Sequence, residues 1–374
     1  MNVKISRRSY DFLVVGGGVF GMYAARTAAA LGKKTALIER NTLFGKASSV
    51  NQARVHRGYH YPRAQSTALA AANYYHRFNE EFSAAIVQVP ENYYALPHRF
   101  TKTDAILFEE FCDRLKIPCE RAYPNILDWR TVDRAYKVDE VAFDANILRN
   151  ILHSPSVDYF ENEEVIDIGV RVGSGVIIST DKGNDFHASE VFIGAYAATN
   201  RLLQILRKPY LDLKYELCEV ALYRPKADLR GFGVTIMDGP FASFMPWDSN
   251  GHFSLTNVSY TPHEESRETT PQFSCHQVVP FCAKTAQYNC NHCEARPESR
   301  YRLLESSINR YLSDKIENNF RYVRSIFGVK TILDRSEILD ERPTFLETVN
   351  EEPRITICFS GKIDTVFDIE KVLF

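Results

Sequence analysis

The sequence predicts an α/β protein in which a nucleotide-binding domain is interleaved with a second domain built on an antiparallel sheet. Two observations support this prediction. Residues 11–39 read as strand, glycine turn, Ala-rich helix, strand and acid, which is the pattern of a Rossmann-like unit. Residues 214–260 read as short strands of period two, broken by Gly, Pro, Asp and Asn, which is the pattern of an antiparallel sheet.

The glycine turn has the spacing Gly-x-Gly-x-x-Gly, which is typical of a dinucleotide-binding turn. Gly16 permits the tight turn, Gly18 lets backbone amides approach a pyrophosphate, and Gly21 lets the helix lie close to the strand. The helix N-terminus offers unpaired N–H groups and a positive dipole end to phosphates. A structural turn without a ligand is the alternative. The residues expected to bind the dinucleotide here, with Glu39 accepting ribose hydroxyls, are Gly16, Gly18, Val19, Phe20, Gly21, Glu39 and Arg40.

Composition excludes several other classes of protein. The chain has 374 residues, 45% of them hydrophobic, and its 45 basic and 47 acidic residues give a net charge of −2, which provides no attraction to nucleic acid. No apolar run approaches the ~20 residues that span a bilayer. The residues after Arg7-Arg8 are the nucleotide-binding strand rather than an export signal. We therefore expect reduced cysteines and a cytoplasmic location.

Residues 41–63 form a polar loop beside the predicted dinucleotide site. Ser48, Ser49 and Asn51 can hydrogen-bond a phosphate or a ribityl chain. A long loop rich in such side chains is typical of a ligand-binding loop, and a solvated surface loop is the alternative. Its imidazole and cationic groups are Arg54, His56, Arg57, His60 and Arg63.

The segment ASSVNQARVHRGYHY, residues 47–61, is similar to a family of FAD-dependent oxidoreductases. The family contains D-amino-acid oxidase, glycine oxidase, glycerol-3-phosphate dehydrogenase and L-2-hydroxyglutarate oxidase. The segment resembles the branch of the last two, which carries Ala-Ser, then Asn, then His-x-Gly before an aromatic pair. The resemblance implies FAD as cofactor, a loop that runs under the flavin, and His56 near the reactive ring. Ala53-Arg54 departs from the branch pattern, so the same substrate is not implied.

The resemblance also implies cofactor contacts elsewhere in the chain. A valine after residues 163–164 meets the adenine side, and the turn after residues 190–194 closes over the cofactor, with a plain strand-to-helix connection as the alternative. The last strand, residues 354–359, returns to the flavin sheet, and the turn after it contacts the flavin pyrimidine edge. The additional cofactor-binding residues are Ser48, Ser49, Asn51, Gln52, Val165, Ala195, Gly361, Lys362 and Ile363.

These assignments divide the chain into two discontinuous domains. We expect the FAD-binding domain at residues 1–85, 140–213 and 325–374, and the substrate domain at 86–139 and 214–324. A long helix is predicted across residues 300–324 and a final helix across 365–374. The substrate sheet would form the roof of the cavity, and its candidate lining residues are Met245, Trp247, His252, Thr256, Asn257 and Tyr260.

A cysteine- and histidine-rich insert interrupts the substrate domain at about residues 266–300. The Cys290-x-x-Cys293 spacing matches half of a tetrahedral zinc site, and Cys275 with Cys282 could supply the other half. The spacing is not that of a standard zinc finger, so we predict no metal and keep structural zinc as the alternative.

The predicted reaction removes a hydride from a small anionic substrate, a 2-hydroxy acid or related alcohol. Arg54, Arg57 or Arg342 would hold the substrate carboxylate. His56 first, or His60 second, would act as the base, because nearby arginines favour the neutral imidazole.

Several alternatives stay open. Arg342 could instead form a surface salt bridge with Asp340 or Glu347. The same scaffold could oxidise an amine or amino acid, or hold a flavin without turnover as a partner protein. The electron acceptor could be oxygen or another molecule.

Overall fold

The computed structural model describes residues 7–226, 231–280, 282, 289–334 and 343–374. The strands are β1 (Arg7–Val15), β2 (Thr35–Ile38), β3 (Arg54–Val55), β4 (Ile86–Val87), β5 (Glu91–Pro97), β6 (Glu120–Arg121), β7 (Val132–Lys137), β8 (Val141–Phe143), β9 (Val157–Phe160), β10 (Val165–Arg171), β11 (Gly175–Thr180), β12 (Asp185–Ile193), β13 (Leu213–Pro225), β14 (Phe232–Ile236), β15 (Ala242–Pro246), β16 (Phe253–Asn257), β17 (Pro262–Ser266), β18 (Phe320–Leu333), β19 (Phe345–Asn350) and β20 (Arg354–Phe359).

The α-helices are α1 (Val19–Ala30), α2 (Gln65–Glu81), α3 (Ala105–Leu115), α4 (Ala145–Leu152), α5 (Thr199–Ile205), α6 (Tyr301–Ile308), α7 (Ile316–Asn319) and α8 (Glu370–Leu373). Short 3-10 turns lie at Ser83–Ala85, Tyr196–Ala198, Ser274–Gln277, Cys290–His292 and Ile363–Ile369. In the part of the chain just listed, no helix is long and apolar enough to cross a membrane.

A parallel sheet in the spatial order β9, β2, β1, β12, β20 forms the first domain, and β10, β11 and β19 extend it in antiparallel fashion. Both faces of β1 are buried: Val14 packs with α1 on one side, and Leu13 packs with α5 on the other. Burial on both faces is the property of a sheet covered by helices on each side. The predicted Rossmann-like α/β fold is confirmed.

The second sheet follows the order β17, β13, β16, β15, β14, β5, β7, β6, with β18 paired to β13. Neighbouring strands run antiparallel except β14 and β5, which are parallel. Strands β3, β8 and β4 form a small third sheet. In the sequence, β4 and β8 lie next to the predicted domain boundaries at residues 86 and 140. The predicted antiparallel substrate sheet is therefore present, with one parallel pair.

The long helix predicted across residues 300–324 is wrong. Helix α6 ends at Ile308, and the chain enters β18 at Phe320. Strand β18 pairs with β13 along its length, and Phe320 and Tyr322 pack on the core of the second sheet. Sheet pairing and burial therefore outweigh the local helical pattern. The boundary predicted at residue 325 falls inside this strand.

The tightest backbone contact of the first domain lies where α1 crosses the end of β1. A Cβ atom built on Gly21 would lie 1.8 Å from the carbonyl oxygen of Gly16. Two atoms cannot approach so closely, so any larger residue must push α1 away from the strand.

We predict that Gly21→Ala lowers the free energy of unfolding by about 1–3 kcal/mol or more, because the methyl group overpacks this contact. Gly169→Ala is the matched control, since a Cβ there would meet its nearest neighbour at 3.8 Å. Chemical denaturation of both variants measures the difference. Equal stability of the two variants would contradict the packing assignment.

Candidate active site

The glycine turn between β1 and α1 is shaped by close backbone contacts. Gly16 has a φ of 108°, and a Cβ there would lie 2.5 Å from the Gly194 carbonyl oxygen. A Cβ on Gly18 would lie 3.0 Å from Ser48 Oγ, which accepts a hydrogen bond from the Val19 amide at 2.9 Å. The turn thus brings its amides against the loop that follows β2.

Glu39 lies just after β2, with its carboxylate turned back to the glycine turn. It accepts hydrogen bonds from the amides of Gly17 at 2.6 Å and Asn41 at 2.8 Å. The neighbouring Arg40 is partly buried, and this burial lowers the pKa of its guanidinium while the charge of Glu39 opposes the shift. Both side chains line the cavity described below.

Side chains of the loop after β2 mostly shape the loop itself. Asn51 donates to the carbonyls of Ala47 at 2.9 Å and Ser48 at 3.0 Å, and accepts from the Ala53 amide at 2.6 Å. Gln52 donates to Thr256 Oγ1 at 2.8 Å, which ties the loop to the second sheet.

Ser49 differs from its neighbours in the loop. Its hydroxyl donates to the Lys46 carbonyl at 3.1 Å, and it is not among the residues that line the cavity. The sequence-based expectation of a cofactor contact through this hydroxyl is therefore not supported by its position.

A cavity of about 1020 Å³ extends from the glycine turn to the second sheet. It joins three segments far apart in the sequence: the glycine turn, the loop after β2 and the turn after β20. The predicted cofactor-binding residues that line it are Gly16, Gly18, Val19, Phe20, Glu39, Arg40, Ser48, Asn51, Gln52, Val165, Ala195, Gly361, Lys362 and Ile363. Gly21 does not line the cavity; it packs against Gly16 and Val14 instead.

A buried charged cluster closes one end of the cavity. Arg54 is 5% exposed; it donates to Thr235 Oγ1 at 2.5 Å, and its Nη1 has no hydrogen-bond partner among the described residues. The ring centroids of His56 and His60 lie 5.2 Å apart. Lys362 places Nζ 3.9 Å from the centroid of the Tyr61 ring. Cations and imidazoles thus share one desolvated space.

Burial and like charges control protonation in this cluster. Burial, with the charges of Lys362 and Arg54, holds the pKa of His56 well below its usual value. The pKa of His60 is lowered by burial and by the charges of His56, Arg54 and Lys362, while Glu140 opposes the shift. Burial also lowers the pKa of Lys362 and raises that of Asp364, although each opposes the shift of the other. The histidines are therefore neutral near pH 7.

One predicted anion-binding arginine, Arg57, does not join this cluster. Arg57 does not line the cavity; its guanidinium pairs with Asp139 and contacts His76 Nε2 at 3.1 Å. The prediction for Arg57 is corrected on this ground, because its charge is already matched by an acid outside the cavity. Arg342 lies outside the described residues.

The structure adds two acids that sequence reasoning missed. Glu140 is 1% exposed and lies beside His56, while Asp364 lines the cavity next to Lys362. Neither belongs to a spaced motif. The Asp139-Glu140 pair directly before the apolar residues of β8 was the available signal for Glu140.

The roof residues are only partly as predicted. Thr256 and Asn257 line the cavity. Trp247 instead donates its indole N–H to the Asn51 carbonyl at 3.0 Å, and Met245 packs with Val89. His252 and Tyr260 are also absent from the lining.

The cysteines of the insert surround a small second cavity of about 20 Å³, lined by Cys275, Cys282, Cys290, Cys293 and His276. Burial raises the pKa of Cys275 to about 11 and that of Cys290 to about 12. Thiols must lose their protons to bind zinc. Across residues 7–226, 231–280, 282, 289–334 and 343–374, no group of three or more His, Cys, Asp or Glu residues is placed to hold a metal ion. The described geometry gives the zinc alternative no support.

The residues that line the large cavity fit an FAD molecule. Because Gly16 and Gly18 lack a Cβ, the glycine turn lies close to Gly194 and Ser48, and all four residues line the cavity. The amides at the start of α1 would hold the pyrophosphate and Glu39 the ribose. The turn at Gly361 and Lys362 would hold the flavin ring beside the histidine cluster.

Comparison with known proteins agrees with this geometry. A family model described as DAO, FAD dependent oxidoreductase, matches residues 11–345. The chain is 28% identical over 363 residues to the FAD-dependent monooxygenase FPY4 of Fusarium mangiferae, which covers 95% of this chain and 87% of that protein.

Solved structures show the same fold at low identity. Glycine oxidase from Geobacillus kaustophilus has a TM-score of 0.70 at 16% identity, covering 98% of this chain and 93% of its own. L-alpha-glycerophosphate oxidase from Mycoplasma pneumoniae, solved with FAD bound, has a TM-score of 0.74 at 14% identity, covering 97% and 93%. The family match sets aside the non-catalytic alternative. The chain therefore belongs to the DAO family of FAD-dependent oxidoreductases, and the protein is an enzyme that uses FAD.

Proposed function

We propose that the enzyme removes a hydride from a small anionic substrate, a 2-hydroxy acid or a related alcohol. The observation that carries this proposal is the buried Arg54 beside two neutral histidines in the cavity. Bound FAD supplies the hydride acceptor. A cytoplasmic location is part of the same proposal, because a reducing compartment would keep the eight cysteines as thiols.

Arg54 is suited to bind a carboxylate. A buried guanidinium is costly unless an anion or several hydrogen bonds compensate it. Arg54 hydrogen-bonds only Thr235 among the described residues, and Nη1 stays without a hydrogen-bond partner; the charge of Glu140 acts on the guanidinium without a hydrogen bond. A substrate carboxylate would supply the missing acceptor through charge-assisted hydrogen bonds.

His56 is suited to accept the substrate proton. Its ring lines the cavity and is neutral because burial and neighbouring cations disfavour the imidazolium. A neutral imidazole within reach of a hydroxyl removes its proton as the C–H bond is broken. His60 also lines the cavity and is the second candidate.

Oxidation of an amine or amino acid is the alternative. Asp364 favours it, because a carboxylate on the cavity wall could pair with an ammonium group. Product analysis would also reveal oxygen insertion, the reaction for which the Fusarium relative is named.

We predict that 2-hydroxy acids bleach the flavin absorbance under anaerobic conditions, and that Arg54→Met raises the half-saturating substrate concentration about 10–100-fold. The loss corresponds to charge-assisted hydrogen bonds of about 1.5–3 kcal/mol. Arg57→Met is the matched control and should change this concentration less than about twofold. Bleaching by amines alone would favour the alternative, and equal effects of the two variants would remove Arg54 as the anion site.

We predict that His56→Gln slows flavin reduction about 10²-fold while the protein stays yellow. Because the pKa of His56 is lowered, its base form persists below pH 6.5, so the wild-type rate should stay level from pH 8 to 6.5 and fall only in more acidic solution. Stopped-flow reduction measures both effects. His76→Gln, at an exposed position, is the control. A wild-type rate that halves at pH 6.5 would contradict the assignment.

A further inference from the structure

Glu140 is a buried carboxylate that the proposed reaction has not yet used. It lies one residue before β8, which pairs antiparallel with β3 through Arg54 opposite Ala142 and Val55 opposite Val141. Continued by one residue, this register places His56 opposite Glu140. Cross-strand neighbours in this position are close enough for their side chains to interact.

The contacts of Glu140 agree with the register. Its Oε1 lies 3.5 Å from His56 Nδ1 and accepts a hydrogen bond from the Arg57 amide at 2.8 Å. Its Oε2 accepts the Tyr94 hydroxyl at 2.7 Å. The carboxylate is thus fixed on both oxygens, with His56 as its next neighbour.

His56 Nδ1 is buried and makes no hydrogen bond with the described residues. A buried ring nitrogen without a partner is costly, and a short movement toward Glu140 would satisfy it. The other charged or titratable groups around the pair come from four elements: Arg54, Tyr59, His60 and Tyr61 from the loop, Tyr75 from α2, Tyr94 from β5, and Lys362 and Asp364 from the closing turn.

We propose that Glu140 is a positioning residue that holds His56 by Nδ1 and leaves Nε2 to take the substrate proton. This inference rests on the proposed function, since it assigns a partner to the proposed base. The arrangement follows the general logic of a base oriented by a third group.

In the proposed step, His56 accepts the substrate proton and Glu140 balances the positive charge that forms. The substrate O–H bond breaks, an N–H bond forms at Nε2, and the C–H bond pair leaves as hydride to bound FAD. The imidazolium formed at His56 then lies against the Glu140 carboxylate. Without that carboxylate, the new charge would lie near the cations Arg54 and Lys362, with Asp364 as the remaining acid of the cluster.

A structural role is the competing explanation, because Glu140 also anchors the Arg57 amide and Tyr94. Glu140→Gln keeps an acceptor for that amide but removes the negative charge. Asp139→Asn is the matched control: this neighbouring acid is half exposed, pairs with Arg57 and Tyr75, and does not line the cavity.

The first test is a double-mutant cycle on the rate of flavin reduction in the holoenzyme. Glu140→Gln should slow reduction about tenfold or more and move the acid limb of the pH profile to lower pH, whereas Asp139→Asn should do neither. In a His56→Gln background, Glu140→Gln should add less than about twofold. If the reduction in rate of the double variant equals the product of the two single reductions, Glu140 acts independently of His56 and the proposal is overturned.

The second test does not depend on turnover. Imidazole nitrogen shifts of the ¹⁵N-histidine-labelled holoenzyme, assigned with His56→Gln, follow the protonation of His56. Glu140→Gln should lower the His56 midpoint by roughly one pH unit, as expected for removing an adjacent carboxylate, and leave His76 unchanged. An unmoved midpoint would overturn the positioning role alone. Normal reduction by His56→Gln would instead refute the base itself, and with it both proposals.

Discussion

The contact between the backbones of Gly16, Gly21 and Gly194 is the constraint on which the site depends. It brings the end of β1, the start of α1 and the end of β12 to one point. Ligands of open parallel sheets bind beyond the carboxyl ends of the strands. The turn after β20 arrives at the same edge, because β20 pairs in parallel with β12. One packing requirement thus brings the glycine turn, which we expect to hold the phosphates, and the turn after β20, which we expect to hold the flavin, to the same edge of the sheet.

Electrostatics then decide what the cleft can do. Arg54 and Lys362 are positive groups in a desolvated region, and Glu140 and Asp364 are the acids that face them. The low local polarity strengthens each interaction and makes every unmatched group costly. The histidines between them stay neutral for this reason. The proposed substrate, with one negative charge and one hydroxyl, was inferred from this set of groups.

Sequence reasoning succeeded where function follows from local pattern. The glycine spacing and its flanking strands located the cleft that the structure shows beside the glycine turn. Sequence reasoning failed where function depends on the direction in which a side chain points. Arg54 and His56 are two residues apart and share a face of an extended chain, whereas Arg57 is three residues from Arg54 and points elsewhere. Glu140 depends on pairing between segments more than 80 residues apart in the chain, which no local pattern records.

The cysteine-rich insert has a consequence of its own. Asn289 donates to the Gly45 carbonyl at 2.9 Å, and Asn291 hydrogen-bonds both backbone groups of Phe327. The insert thus bridges the loop beside the cofactor and a long strand of the other sheet. The insert therefore acts as a structural link between the two domains. We expect that shortening the insert would weaken nucleotide binding before it affected the rate of the reaction.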